Sequence, residues 1–153
     1  MRFWIIAGGR FRRGPEADLY AFYADRLRPK PELREVEDRK KSDVPARVRR
    51  EGDMMADLLP KGGYVVALDE RGKALSSEDF AAFLTELQDR GVGDISFLIG
   101  GADGLDAGLR DRADRLLSFG PATWPHLLVR GLLAEQLYRA QSIQAGHPYH
   151  RAG

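Results

Sequence analysis

Three apolar runs of strand length, at 3–7, 64–68 and 95–99, constrain this chain more than any other feature. Tyr64, Val65, Val66, Ala67 and Leu68 leave no polar face, which suits a strand covered on both sides. Two of the runs lead straight into paired glycines, Gly8-Gly9 and Gly100-Gly101. Runs of this kind, alternating with helical patterns, imply one α/β domain over 1–153 with a mostly parallel sheet flanked by helices. No internal repeat, linker or low-complexity segment interrupts it.

Between the runs, helical spacing is readable. Pro15 opens a helix over 15–28 with Leu19, Phe22, Tyr23 and Leu27 along one face, and Pro29 and Pro31 stop it. Residues 32–43 are charged, and Leu33 and Val36 allow at most a short strand. Asp43 and Pro45 suit a helix start, with Val44, Val48, Met55, Leu58 and Leu59 as its apolar side and Gly62-Gly63 as its end. Ser76 with Asp79 has the form of a weak capping box ahead of a helix striped by Phe80, Phe83, Leu84 and Leu87. A short helix over 105–113, a strand at Leu116 and Leu117, a loop over 118–125 and a helix over 126–145 complete the pattern. On that last helix Leu127, Leu128, Val129, Leu132, Leu133, Leu137, Tyr138 and Ile143 spread round most of the circumference. Such a helix is buried on more than one side, either within its own fold or against a second subunit.

The 153 residues are 43% hydrophobic and 31% charged, the balance of a globular domain with a real core. No apolar run nears the roughly 18 residues that cross a bilayer, and the start is too short in apolar residues for a secretory signal. The expected location is the cytoplasm. With no cysteine there is no disulfide, thiolate nucleophile or cysteine-based metal site. The net charge is only +1, yet it is segregated. Residues 1–50 hold 14 Lys and Arg against 8 Asp and Glu, a balance of +6, and the remaining 103 hold 10 against 15, a balance of −5. Basic residues including Arg10, Arg12, Arg13, Lys40 and Lys41 either contact a phosphate backbone or simply solvate a surface.

All three histidines, His126, His147 and His150, lie in the final 28 residues. Around Pro148, the end of the chain gathers two imidazoles, the Tyr149 phenol and the Arg151 guanidinium. These groups move protons near neutral pH, stack on a flat ring and hold an anion in a fork of N–H donors. A tail of this composition is either a site or a solvated end. His147 and His150 are three apart but straddle a proline, and no carboxylate neighbours them, so a metal site is not expected. Gly100, Gly101 and Gly104 follow a strand, where α/β proteins bind ligands, but they match neither the dinucleotide nor the triphosphate glycine pattern. The cluster reads as a ligand loop or as a tight turn. The loop from Ser118 to Pro125 mixes small residues, prolines and Trp124, and is either a stiff clamp for a flat adenine or a plain connector. His126, at a helix start, feels the positive end of the dipole and is held neutral, as a structural or a functional group. No nucleophilic-serine elbow is present.

Taken in order, the segments 98–104, 123–126, 132–140 and 146–151 resemble one family, the RlmH ribosomal RNA methyltransferases of the SPOUT superfamily. The resemblance runs the whole chain and includes Gly14-Pro15-Glu16 and 64–69. It implies a homodimer with a knotted, trefoil C-terminal region that binds S-adenosylmethionine and needs no metal. It implies methylation at N3 of a pseudouridine in helix 69 of 23S rRNA, within the assembled 70S ribosome. Matched position by position, the cofactor residues are Leu68, Gly100, Gly101, Gly120, Pro121, Ala122, Thr123, Trp124 and Pro125. The tail signature matches His147, Pro148, Tyr149, His150 and Arg151, with Tyr149, His150 and Arg151 as candidate catalytic residues. His126, His147, Arg10 and Arg12 are candidate substrate contacts. Trp124 stands where the family commonly has aliphatic residues. The competing class is a ribosome- or RNA-binding module without catalysis, using the tail as a stacking platform.

Overall fold

A computed structural model describes residues 1–40 and 43–151. Among them the order is β1 (Arg2–Gly8), α1 (Pro15–Ala24), β2 (Glu32–Val36), α2 (Val44–Asp57), β3 (Tyr64–Ala74), α3 (Ser77–Asp89), β4 (Asp94–Ile99), α4 (Ala107–Arg112), β5 (Arg115–Ser118) and α5 (His126–Ala145). The strands form one sheet in the order β2-β1-β4-β3-β5, with every pairing parallel. The expected α/β architecture is therefore present. Among the described residues, no helix is long and apolar enough to cross a membrane.

Alternation along the strands divides the apolar residues between two faces. Phe3, Ile5, Val66, Ile95 and Phe97 face α1, α3 and α5, while Ile6, Ala67 and Leu98 face α2 and α4. The first face holds the larger cluster. Asp43, Ser76 and Asp106 each accept a backbone N–H three residues on, capping α2, α3 and α4.

Four details differ from the sequence expectation. α1 ends at Ala24, because the chain tightens into three-residue turns at Arg26 and Leu27 before Pro29. Its buried residues are Tyr20 and Ala24, with Leu27 buried just beyond its end, and Phe22 is 51% exposed under the Arg26 guanidinium. α5 crosses α1 closely where Gly131 meets Leu19. Val44 is also exposed, since it stands at the open first turn of α2. β3 runs on past Leu68 to Ala74, but Leu68 and Lys73 both oppose Leu117, so 69–72 interrupt the ladder, with Gly72 pressed on the Leu116–Leu117 backbone.

α5 answers part of the question posed by its apolar circumference. Leu133, Ala134, Leu137 and Ala140 are buried within this chain, between α1 and α3. Leu127, Leu128, Leu132 and Ile143 are only half-buried.

Candidate active site

The carboxyl ends of β3, β4 and β5 open into a cleft of about 830 Å³. Its floor is apolar, with Leu68, Ile99, Leu117 and Val129, and the bulge from β3 brings Asp69, Glu70 and Arg71 to one rim. Gly100 and Gly101 line it directly after β4. The loop that follows β5 supplies Gly120, Ala122, Thr123, Trp124 and Pro125, and then His126. Pro121, in the same loop, is exposed and does not line the cleft.

The glycine loop is tight and also walls the cavity. Gly104 donates its N–H to the Gly101 carbonyl at 3.0 Å. A Cβ on Gly100 would stand 2.5 Å from the Gly104 carbonyl carbon and the Leu105 nitrogen, a space no side chain can occupy. A Cβ on Gly8 would stand 2.7 Å from the Gly101 nitrogen, so the ends of β1 and β4 are pressed together. The opposite wall braces itself. The Ser118 hydroxyl accepts the Gly120 N–H and donates to the Gly120 carbonyl, both at 3.1 Å, and Trp124 Nε1–H donates to the Phe119 carbonyl at 3.2 Å.

Two carboxylates at the rim are paired. Asp69, 9% exposed, lies 3.6 Å from Arg110 and 3.2 Å from Arg71, and Asp103 pairs with Arg47. Burial lowers the His126 pKa below its usual value, with the Arg130 guanidinium adding to the effect. The positive end of the α5 dipole acts in the same direction.

The tail is docked on α5 and α3. The Tyr149 hydroxyl donates to Glu135 Oε1 at 3.0 Å and lies 3.4 Å from the Tyr23 hydroxyl. Its ring meets Tyr138 edge-on at 4.7 Å, under the Arg139 guanidinium. Arg139 donates twice to the same Glu135 oxygen, at 2.6 and 2.9 Å. His150 bridges two elements, with Nδ1 at 3.2 Å from Arg139 Nη1 and Nε2 at 2.8 Å from Glu78 Oε1. A guanidinium only donates, so Nδ1 accepts and the proton sits on Nε2. Burial, with the hydrogen bonds to Tyr23 and Glu135, pushes the Tyr149 phenol up and keeps it protonated. His147 is exposed and accepts the Tyr149 N–H at 3.1 Å; Arg151 is exposed.

Tyr149 lines a second cavity of about 750 Å³, which shares 117–120 with the cleft as a common wall. None of Tyr149, His150 and Arg151 lines the glycine cleft of its own chain. Arg10 is exposed 3.5 Å from Glu37, Arg12 and Arg13 are exposed, and Lys41 lies outside the described residues.

Several residues of these sites escape sequence reading. Arg130 is wholly buried against Glu35, and Glu135, Arg139 and Glu78 hold the tail. A charged residue on a helix apolar all round was the available signal for Arg130, because such a group requires a partner inside.

Comparison with known proteins agrees with this architecture. A family model described as "Predicted SPOUT methyltransferase" matches residues 1–150. A Rhodospirillum centenum protein named ribosomal RNA large subunit methyltransferase H is 55% identical over 152 residues, covering 99% of this chain and 100% of the relative. Its namesake in Paramagnetospirillum magneticum is 53% identical over 151 residues, with 99% of each covered. The crystal structure of a probable methyltransferase from Bordetella pertussis shares the fold, at TM-score 0.56 and 16% identity, over 91% of this chain and 95% of that one. The chain belongs to the SPOUT methyltransferases, in the family of these large-subunit methyltransferase H proteins.

Proposed function

We propose that this protein methylates N3 of a pseudouridine in helix 69 of 23S rRNA, taking the methyl group from S-adenosylmethionine. It acts in the cytoplasm as a homodimer on the assembled 70S ribosome, with the knotted C-terminal region that the family resemblance implies. The observation that carries this reading is the cleft at the strand ends, lined from three of the segments on which the resemblance rests, 64–69, 98–104 and 123–126. The cleft suits the cofactor. Its volume is in the range of small-molecule sites, roughly 300–1,000 Å³. Its glycine loop offers bare backbone to a flat ring over an apolar floor. Bound there, S-adenosylmethionine supplies a methyl group already activated by a sulfonium.

The chain's own residues must then remove the N3 proton and neutralise the charge that develops. Arg151 supplies charge-assisted N–H donors to that charge. His150 takes up the N3 proton at Nδ1 only once that nitrogen is released from Arg139, and Tyr149, kept protonated, donates. The tail lines a different cavity from the cleft of its own chain, and transfer needs contact geometry. The tail that completes a cleft therefore comes from the second copy, and the half-buried apolar residues of α5 suit a subunit contact.

Mass spectrometry of large-subunit rRNA from cells lacking the protein tests the reading. One methyl group is expected to be missing from one pseudouridine, and full methylation overturns the assignment. Calorimetry with S-adenosylmethionine separates an enzyme from a module that only binds RNA, since the module takes up none.

A further inference from the structure

We propose that Arg130 is a positioning residue for RNA binding, holding the basic segment 10–13 against the rim of the cofactor cleft. The inference rests on the rRNA methyltransferase reading. Arg130 stands one turn into α5, directly after the cofactor loop, and is fully buried. Its Nη1 donates to Glu35 Oε2 at 2.6 Å, and its Nη2 donates to the carbonyls of Gly8 and Gly9 at 3.0 and 2.9 Å. The Phe11 ring lies 4.5 Å beneath the guanidinium, and the Phe11 N–H donates to the same Glu35 oxygen at 2.6 Å. Three of the four residues from Gly8 to Phe11 are thus tied to one buried ion pair.

The segment they belong to carries Arg10, Arg12 and Arg13, all exposed. It also adjoins the cleft. A Cβ on Gly9 would stand 3.2 Å from His126 Nε2, and His126 lines the cavity. A well-packed apolar side chain stabilises a core as well as a buried ion pair does, and often better. What the guanidinium adds is direction, since its planar fork fixes two carbonyls and a carboxylate at once. Being inaccessible, Arg130 cannot touch RNA and acts only through the segment it holds.

The test uses full-length protein and measures affinity for 70S ribosomes against salt, with S-adenosylmethionine affinity by calorimetry. Arg130→Met and Glu35→Gln are expected to weaken ribosome binding about tenfold and to lower the slope of log affinity against log salt by about two, as displaced phosphate contacts would. Cofactor affinity stays within about twofold. Leu84→Ala, in the core under α3, is the stability control and leaves the slope unchanged. Should Arg130→Met not fold, Glu35→Gln carries the test, because Glu35 is partly exposed. Variants with wild-type slope and ribosome affinity overturn the role of Arg130, as does an equal loss of slope in the control. Wild-type protein that binds ribosomes independently of salt overturns the RNA contact of segment 10–13, whereas wild-type protein that takes up no cofactor overturns the methyltransferase reading on which the role depends.

Discussion

The glycine cleft and the docked tail are made in opposite ways. The cleft is shaped by backbone: two loops, one pinched at Gly100 and the other braced by Ser118 and Trp124, over an apolar floor. The tail is held by ionisable side chains, with Glu135 joined to Tyr149 and Arg139, and His150 strung between Arg139 and Glu78. A backbone-built wall suits a ligand recognised by its shape and its flat ring. A side-chain network suits groups that must change protonation or bind a charge. Variants in the two regions should therefore separate cofactor affinity from turnover.

The largest expected effect is in the cleft. Gly100→Ala forces a Cβ into backbone 2.5 Å away, and S-adenosylmethionine affinity should fall about a hundredfold, roughly 3 kcal/mol by calorimetry. Unchanged affinity would mean that the loop is no part of the cofactor wall. Next, Arg151→Ala should slow methylation of ribosomes about thirtyfold while cofactor affinity moves less than about twofold. Equal turnover in variant and wild type removes Arg151 from the mechanism. Glu135→Gln takes the charged acceptor from Tyr149 and Arg139, a change of about 1–2 kcal/mol, and should lower turnover about tenfold, again without touching cofactor affinity. A parallel loss of cofactor binding would erase the distinction between the two regions.

The smallest effect concerns pH. The folded chain keeps His126 neutral where the unfolded chain, with its usual value of 6.5, takes up a proton. Its contribution is whole above that pH and is lost as the pH falls below it. His126→Gln should flatten the acid side of the melting-temperature profile by about 1–2 °C between pH 7 and 5. A profile that superimposes on the wild type rules out His126 as the source of the slope.

Much of the scaffold was legible because it is local. The apolar runs marked β1, β3 and β4, and capping residues such as Asp43 and Ser76 marked helix starts. Phe22 was misplaced because spacing gives the apolar stripe but not the helix that crosses it. The extension of β3 was hidden behind the charged residues of its bulge, which read as a loop. The cleft's glycines were visible as a motif, whereas Glu35 and Arg130, 95 positions apart, have no local signature. The tail stood out by composition and resemblance. Of its partners, Glu135 and Arg139 lay in a segment of the resemblance without an assigned role and Glu78 gave no signal, since pairs of this kind exist only once the helices are packed.

The bulge in β3 has a consequence for how the cleft can vary. Leu117 of β5 faces Leu68 before the detour and Lys73 after it, so only two ladder positions follow the interruption. A residue gained or dropped between them would misalign that short remnant and leave the rest of the strand, with its inward-facing Val66, in place. A change of length at the mouth of the cavity is thus tolerated only between two fixed points, the Asp69 carboxylate beside Arg110 and the Gly72 backbone against β5.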